Sequence, residues 1–501
     1  MALAAEQQRT IASYATRIAQ TLITASAAFA TTNEPLPRET LATNMMDQPS
    51  LQRPYKALII FYFDGGADTF NLLMPHSNCD ARNLTTQYVN TRTNAGYNLA
   101  TVLPINVPPG SQPCNTFGVH PNMPTLQQLF NEGDASFTAN VGSLLEPITK
   151  AEYINKLKVR PPQLFAHNTQ TTGAQTVWPQ HTSPGGVVGR MFKALDDQAK
   201  ASGATPLKGA AYSITRSRAM FSGGPVEPIL LSATEGMLQY KSSKMSEVAL
   251  NTKEKERLLD AMFRLSGKEV ASVFGQTHNE MVRASMRESA RVTELLRNAT
   301  LTQDWAATMA RYTCGGCANL VLQLQQVAKV IQSRHAFEAE RDVFYISLGG
   351  FDTHSEVINQ LINNYGAIDG ALATFVAEMK ALGVWQNVAL QTLSEFGRTM
   401  TSNGRGTDHA WGANHFLIGG SVNGTRIHGS YPELRTNGPQ SISSTGQMLP
   451  SLPWEAIWEP IARWFGVEPG RMNQLLPNRP AFSSWSARMP TFEQVFDRGA
   501  A

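Results

Sequence analysis

Three segments of this chain are continuous apolar runs rather than alternations of apolar and polar residues. They are Ala57 to Phe63, Val343 to Leu348 and Val388 to Leu393, and each ends in glycine or in small and acidic residues. A continuous apolar run of this length is typical of a strand buried on both faces of a parallel sheet. The pattern therefore predicts three core strands, of which Ala57 to Phe63 is the first.

Amphipathic patterns with the helical period surround the second of these strands. Apolar residues recur from Leu320 to Ile331 before it, and from Leu361 to Met379 between it and the third strand. A strand, a helix and a strand in succession imply right-handed parallel crossovers. We therefore expect an α/β fold with a mostly parallel sheet flanked by helices.

The rest of the chain divides around this core. Residues 1–55 are predicted to be an N-terminal helix and linker arm, because an apolar-periodic stretch precedes a linker rich in Pro, Thr and Asn. Residues 56–480 are predicted to be the α/β domain, in which residues 195–319 show long helical patterns and little strand signal. We interpret that section as a helical insertion or cap, and residues 481–501 as a C-terminal tail.

Composition and charge exclude two classes of partner. The chain has 501 residues, a formal net charge of +3 and no run of Lys and Arg interleaved with aromatic residues, so no nucleic acid partner is expected. Its longest apolar runs are strand-sized, well short of the roughly 20 residues that span a bilayer. No transmembrane helix is therefore expected.

The cysteines indicate in which cellular compartment the protein is located. Cys79 and Cys114 form one local pair, and Cys314 and Cys317 form another. The second pair is interpreted as a disulfide or two free thiols at a helix start, because zinc needs four ligands and no further pair of this kind exists. Three glycosylation-type triplets begin at Asn83, Asn298 and Asn423. These features favour a secreted, periplasmic or cell-surface protein, although no clear signal peptide precedes them.

Acidic residues and histidines gather at or just past the predicted strands. The cluster comprises Asp64, Asp352, His354, Glu395, Asp408, His409 and His415. Any one of them is equally well a turn residue or a filler of a polar gap. However, the carboxyl ends of parallel strands form one crevice, so we expect these sequence-distant groups to converge. Carboxylates and imidazoles together suit Zn²⁺ or Mn²⁺, and two such ions about 4 Å apart would clamp both reacting oxygens of an ester.

Four segments carry a resemblance to a known family. They are FDGGADTFN (Phe63 to Asn71), GGFDTHSE (Gly349 to Glu356), SEFGRT (Ser394 to Thr399) and GTDHAWGANHFLIGG (Gly406 to Gly420). With the later WFGVEP and LLPN stretches, they resemble the signature segments of domain-of-unknown-function family 1501, in the alkaline phosphatase and sulfatase superfamily. The resemblance implies an alkaline-phosphatase-like fold and a metal-dependent hydrolase of phosphate or sulfate esters. Its substrate would be a small-molecule or glycan ester.

The resemblance also implies a division of the ligands between two divalent metal ions. One ion would be held by Asp64, Asp408 and His409. The other would be held by Asp352, His354 and His415, with Glu395 as an additional ligand. His354 stands two residues from Asp352, whereas the superfamily commonly has a spacing of four, so a position behind the ligands would suit it equally.

Two catalytic roles remain to be assigned. Arg398 would pair with two oxygens of a phosphate or sulfate, or else form a surface salt bridge. The superfamily nucleophile is a hydroxyl or modified cysteine at a helix start, and the family pattern has a Ser before His167, where this chain has Ala166. Thr169 is the substitute candidate and Thr69 a weaker one, while His167 would bind a substrate oxygen or serve as a ligand.

Ala166 therefore leaves two functions open. The first is the metal-dependent ester hydrolase. The second is a non-catalytic, extracellular binding or structural protein that retains the fold and assembles through its N-terminal arm or helical insertion.

Overall fold

The computed structural model describes residues 53–181, 184–215, 217–234, 252–268, 272–312 and 314–497. The predicted N-terminal arm thus lies almost wholly outside the described residues, as does the end of the C-terminal tail. The chain splits into two compact units, Gln52–Thr234 with Ala299–Ala501, and Met1–Leu51 with Glu235–Asn298.

The larger unit contains two sheets. Its strands, in chain order, are β1 (Lys56–Phe63), β2 (Leu73–Cys79), β3 (Leu103–Asn106), β4 (Cys114–Val119), β5 (Ala135–Gly142), β6 (Gly209–Ser213), β7 (Pro228–Leu230), β8 (Arg341–Leu348), β9 (Val388–Leu393), β10 (Ala413–Gly419), β11 (Arg426–His428) and β12 (Leu452–Pro453). Nine strands form the main sheet in the order β11-β5-β10-β9-β1-β8-β6-β7, with β12 also paired to β5, and β2-β4-β3 form a small second sheet.

The main sheet is mostly parallel. Strand β1 pairs in parallel with β8 on one side and with β9 on the other, so the three strands predicted from apolar runs lie side by side at its centre. Only β10 runs antiparallel to its neighbours β5 and β9. Both faces of β1 are buried, as its unbroken apolar run requires. The predicted α/β class is confirmed.

Helices cover this sheet. In the larger unit they are α1 (Leu84–Arg92), α2 (Pro124–Asn131), α3 (Lys150–Ile154), α4 (His167–Thr176), α5 (Val187–Ser202), α8 (Trp305–Ala310), α9 (Cys317–Gln332), α10 (Val357–Ala381), α11 (Glu455–Phe465), α12 (Met472–Leu475) and α13 (Phe492–Phe496). Helices α9 and α10 lie where the helical patterns predict them. A large core on one face joins β1 to α5 and to the tryptophans of α11.

The smaller unit contributes α6 (Thr252–Leu265) and α7 (Val273–Asn298). Both helices fall in the section predicted to be a helical insertion. That section also contains β6 and β7, which belong to the main sheet, and β6 pairs in parallel with β8. The sequence gives little sign of these two strands because they are only five and three residues long.

Both predicted cysteine pairs are disulfide-bonded. Cys79 and Cys114 face each other in the paired strands β2 and β4. Cys314 is joined to Cys317, the first residue of α9, so the alternative of two free thiols does not hold. None of the described helices combines the length and the apolar character that a membrane crossing needs.

Candidate metal centre

The predicted site lies where β1, β8 and β9 end side by side. The backbone N–H of Asp64 donates to the carbonyl of Leu348 at 2.9 Å, which continues the pairing of β1 with β8 into the loop. Gly65 and Gly66 then turn the chain with φ of 121° and 75°. A Cβ atom on Gly65 would lie 2.4 Å from the backbone nitrogen of Asp352. Only glycine therefore permits this close approach of the first and second loops.

Arg398 is the residue that ties these loops together. Its side chain is fully buried and donates to the carbonyls of Gly65, Gly66 and Thr407 and to the carboxylate of Asp352. The predicted surface salt bridge is therefore wrong, because no part of this guanidinium reaches the surface. All three of its nitrogen atoms already have protein partners.

Three histidines lie close together near Arg398 and Asp352, and each is oriented by a hydrogen bond at its Nδ1 atom. The Nδ1 atom of His409 lies 2.7 Å from the carbonyl oxygen of Phe165. That of His167 lies 2.8 Å from Oε1 of Glu395, and that of His354 lies 3.0 Å from Oδ1 of Asp408. Because a carbonyl or a carboxylate only accepts, each Nδ1 carries the proton. In the neutral form of each ring, the Nε2 atom then carries the lone pair.

The three Nε2 atoms converge with a carboxylate oxygen. Nε2 of His409 lies 3.1 Å from Nε2 of His167 and 3.0 Å from that of His354. Oδ1 of Asp352 lies 3.1 Å from Nε2 of His354 and 3.3 Å from Nε2 of His409. Lone pairs that face one another repel unless a cation or a proton lies between them. Two ligands of a tetrahedral zinc ion are about 3.3 Å apart, so Asp352, His354 and His409 have the spacing that a metal ion needs.

A related set of donors includes His167. One potential ligand atom from each of His167, Asp352 and His409 lies within 4.8 Å of the other two. Among the described residues, these three form the group of His, Cys, Asp or Glu side chains that could hold a metal ion. About half of the Asp352 and His354 side chains and 37% of the His167 side chain are exposed. The donors are therefore accessible from solvent.

Asp64 and Glu395 form the acidic side of the cluster. Glu395 is buried, and its Oε1 atom accepts from the backbone N–H of Gly65 at 2.9 Å as well as from His167. Partial burial and the Glu395 carboxylate raise the pKa of Asp64, whereas His167 lowers it. The hydrogen bond to Glu395 in turn raises the pKa of His167. A carboxylate whose pKa is raised by a neighbouring carboxylate favours a cation beside the pair.

Asp408 lies behind His354 in the structure. Its Oδ1 atom accepts from Nδ1 of His354 and, at 2.9 Å, from Nδ2 of Asn403. The hydrogen bond from Asn403 lowers the pKa of Asp408, while burial lowers the pKa of His409. The Asp408 carboxylate thus orients the imidazole of His354 through Nδ1, an arrangement that commonly supports metal-bound histidines.

Two predicted residues lie apart from this cluster. His415 is completely buried in β10, where its ring packs 5.2 Å from that of Trp454, and it belongs to no group of potential ligands among the described residues. The hydroxyl of Thr169 bonds to Gln163 at 2.6 Å and to Asn168. The structure therefore does not bring His415 or Thr169 together with the three converging histidines.

Two residues of the site were not predicted. Asn403 donates both to Asp408 and to the backbone carbonyl of His354. The ring of Phe396 packs against His167 and His409, with centroids 4.9 and 4.7 Å apart. Phe396 stands within the SEFGRT segment, so its position was a usable signal, whereas Asn403 has the sequence context of an ordinary turn residue.

A cleft lies among the loop after α1, the start of α10 and the loop after Asn403. Its volume is about 280 Å³, and it is lined by Asn94, residues 356–359, Gly404 and Arg405. Asn94 donates to the carbonyl of Gly404 at 3.3 Å, which joins the loop after α1 to the loop that carries Asn403. Two of its lining side chains are charged, the cationic Arg405 and the acidic Glu356.

Comparison with known proteins bears first on the family. The model described as Protein of unknown function (DUF1501) matches residues 55–467. This match confirms the family predicted from the signature segments. No curated protein shows significant similarity to the chain.

Solved structures show a weak likeness. The lipoteichoic acid synthase LtaP from Listeria monocytogenes is 10% identical, with a TM-score of 0.29 and coverage of 79% of this chain and 74% of that one. The zinc complex of the C-terminal periplasmic domain of EcEptC from Escherichia coli is 10% identical, with a TM-score of 0.30 and 73% of both chains covered. The PsFucS1 sulfatase from Pseudoalteromonas sp. is 9% identical, with a TM-score of 0.33 and coverage of 89% and 75%. At these scores the likeness carries no inference about this chain.

Proposed function

The chain belongs to the family described as Protein of unknown function (DUF1501), and from the chemistry of its donor set we propose that it is a metal-dependent hydrolase of phosphate or sulfate esters. One observation carries the proposal. The Nε2 atoms of His167, His354 and His409 converge with the carboxylate of Asp352. With neutral rings such an arrangement is costly unless a cation or a proton lies between the donors, and it is accessible from solvent.

Two divalent ions of the zinc or manganese type fit these donors. Asp352, His354 and His409 would hold the first together with His167, whose Nε2 faces the same donors, and Asp64 and Glu395 would supply carboxylates to the second. This division differs from the one that the resemblance implies, because Asp408 supports His354 and His415 lies buried elsewhere. When bound, the ions would polarise the ester and lower the pKa of a water molecule.

The protein's own side chains would orient the metal ligands and bind the substrate. Glu395 and Asp408 hold the imidazoles of His167 and His354 in the tautomer that offers Nε2. Arg398 holds Asp352 from behind, so we propose for it a positioning role in place of direct contact with a phosphate or sulfate. Arg405 supplies a cation in the cleft, whose lining also includes the acidic Glu356. It would bind an anionic part of the ester, in a small molecule or a glycan, away from the reacting bond.

The position of Ala166 supports a second candidate, a protein that binds but does not cleave. Ala166 precedes α4 as its N-cap and offers no hydroxyl. The hydroxyl of Thr169 is engaged by Gln163. A hydrolase built on these residues would use water directly as its nucleophile, whereas a non-catalytic member would retain the metal ions and bind its ligand through them.

The two disulfides support an oxidising compartment. We therefore propose a secreted, periplasmic or cell-surface location. Assembly through the N-terminal arm or the helical insertion remains a further proposal, which size measurement of the full chain and of a chain without residues 1–52 would test.

Metal content and ester cleavage test the proposed function together. We expect the purified protein to hold about two equivalents of divalent metal by elemental analysis, and to cleave a chromogenic phosphate, phosphodiester or sulfate ester. Asp352→Asn should reduce the metal content and abolish cleavage. Asp80→Asn, which changes an exposed acid paired with Arg82, is the matched control and should retain both.

The outcomes separate the two candidates. A metal-loaded protein that cleaves none of the three ester classes would exclude the hydrolase and favour the binding protein. A protein that takes up no divalent metal would exclude both.

A further inference from the structure

The loop that follows α3 exposes an unusual amount of apolar surface. Ile154, Leu157 and Val159 are 56%, 70% and 65% exposed. Three large apolar side chains within six residues form a patch, whereas single exposed apolar residues are common on protein surfaces. A patch of this kind in a soluble domain usually meets a partner. We call residues 154–160 the docking loop.

The docking loop and α3 are also cationic. Their charged residues are Lys150, Glu152, Lys156, Lys158 and Arg160. Glu152 is held by the backbone and hydroxyl of Thr149 in a capping box. Glu146 pairs with Lys158 at 2.7 Å, which neutralises one of the four cations.

The other cations keep their charge. Arg160 lies over the ring of Tyr153 and donates to its carbonyl at 2.7 Å, and Lys150 donates to the carbonyl of Gly438. Both partners are neutral, so a positive excess remains beside the apolar side chains. Lys156 is exposed at the centre of the loop.

The base of the docking loop is firmly packed. The ring of Tyr153 lies 5.8 Å from that of Trp411, which is buried two residues after His409. Leu164 and Phe165, just past the loop, pack into the same small core. The exposed apolar residues are therefore presented by a supported loop, and ordering them on a partner costs little conformational entropy.

We infer that the docking loop binds the surface of an anionic phospholipid bilayer. Exposed Leu, Val and Ile residues flanked by Lys and Arg match that surface, because the apolar groups enter the acyl boundary while the cations meet the headgroups. A sulfated polysaccharide would satisfy the cations alone and would leave Leu157 and Val159 in water. The exposed apolar residues therefore favour a phospholipid bilayer over a sulfated polysaccharide as the partner. This inference is independent of whether the metal centre is catalytic.

Vesicle co-sedimentation of the full chain tests the inference. We expect binding to vesicles of equal parts phosphatidylcholine and phosphatidylglycerol, weaker binding to phosphatidylcholine alone, and weakening by salt. Leu157→Ser combined with Val159→Ser should lower the partition coefficient at least about tenfold, and Lys156→Gln should lower it several-fold. The matched controls are Val89→Ser, an exposed valine on α1, and Lys200→Gln, an exposed lysine on α5. Both should leave binding unchanged.

Three results would overturn the inference. One is the absence of binding to anionic vesicles, and another is vesicle binding that the Leu157 and Val159 substitutions leave intact. The third is retention on immobilised dextran sulfate without vesicle binding, which would assign the loop to a polyanionic glycan. Since all the altered side chains are exposed, circular dichroism and metal content should be unchanged and would separate a binding defect from misfolding.

Discussion

Arg398 shows how one buried side chain can serve a site without touching its ligand. Its guanidinium satisfies carbonyls at the ends of two loops and holds Asp352 in place. We predict that Arg398→Met lowers the free energy of unfolding by about 3–5 kcal/mol, because three buried carbonyls and the half-exposed Asp352 carboxylate lose their donor. Urea unfolding measures this effect. Arg435→Met, which removes an exposed partner of Glu433, should cost less than about 1 kcal/mol.

A stable Arg398→Met protein that has lost only substrate affinity would contradict this positioning role. It would restore the prediction that Arg398 binds a phosphate or sulfate directly.

A substitution at Asp408 tests whether this residue binds a metal ion directly or only orients a histidine that does. Its carboxylate accepts from Nδ1 of His354, so we predict that Asp408→Asn weakens metal affinity by about 10–100-fold while the stoichiometry is retained at saturation. Titration against a chromogenic chelator measures the affinity. Complete loss of one equivalent would instead make Asp408 a direct ligand, and Asp80→Asn should change neither quantity.

At the residue scale the sequence predicted most of the cluster but not its hydrogen bonds. The acidic residues and histidines past strand ends predicted that Asp352 and His409 converge, and the structure places them 3.3 Å apart, while their role as metal ligands stays a prediction. Nothing in the sequence indicates that Nδ1 of His167 reaches Glu395, a residue 228 positions away. Such pairings depend on the angle at which α4 meets the sheet, which no local pattern encodes.

Among the secondary-structure elements, helix α4 begins without a hydrogen bond to the side chain of its N-cap residue. Ala166 has the extended backbone of an N-cap residue but makes no side-chain cap bond. We predict that Ala166→Ser raises the free energy of unfolding by about 1 kcal/mol, because its hydroxyl can accept from the N–H of Asn168 in the first turn, while the N–H of Thr169 already donates to Oδ1 of Asn168. Ala201→Ser, at an exposed position inside α5, should give no gain.

Ester cleavage by the same variant tests the missing nucleophile. An increase in turnover in Ala166→Ser, without a change in metal content, would support a hydroxyl at this position as a covalent nucleophile. An unchanged rate together with the gain in stability would mean that the introduced hydroxyl acts only as a cap.

The elements that the sequence predicted share one property. Strands β1, β8 and β9 are buried on both faces and are mostly apolar, although β9 contains Gln391 and Thr392 near its end. Strand β10, although fully buried, carries Asn414 and His415 near its start, and the Asn414 side chain bonds to the loop after β1. Its apolar pattern is therefore interrupted, and a strand of this type is not evident until the partners of its polar residues are known.

At the scale of the whole molecule, buried carboxyl groups make stability depend on pH. Glu455 is fully buried at the start of α11, and burial raises its pKa to about 8. It stays protonated in the folded chain at neutral pH, whereas it ionises near about pH 4.3 when unfolded. The folded state therefore binds more protons, so the contribution of Glu455 to stability is greatest below about pH 4.3 and is lost as the pH rises towards 8.

We predict that Glu455→Gln removes much of this loss. Urea midpoints measured at about pH 5 and about pH 9 should differ less in the variant than in the parent. Burial raises the pKa of Asp342 to about 7, so part of the dependence should remain. Glu468→Gln, at an exposed position, is the control, and a variant profile identical to that of the parent would contradict the prediction.

The order of the strands has a consequence for the kinetics of folding. Strands β9 and β10 are neighbours in the sheet and nearly adjacent in the chain, and the loop between them carries Glu395, Arg398 and His409. Strands β1 and β8 meet across a long separation, as the bond between Tyr55 and Asp342, 287 residues apart, illustrates. Contacts over such distances form slowly. Glu395, Arg398 and His409 can thus come together when the short loop between β9 and β10 closes. Asp64 and Asp352 come together only when β1 pairs with β8. Stopped-flow uptake of a metal ion would therefore report the last long-range step of folding.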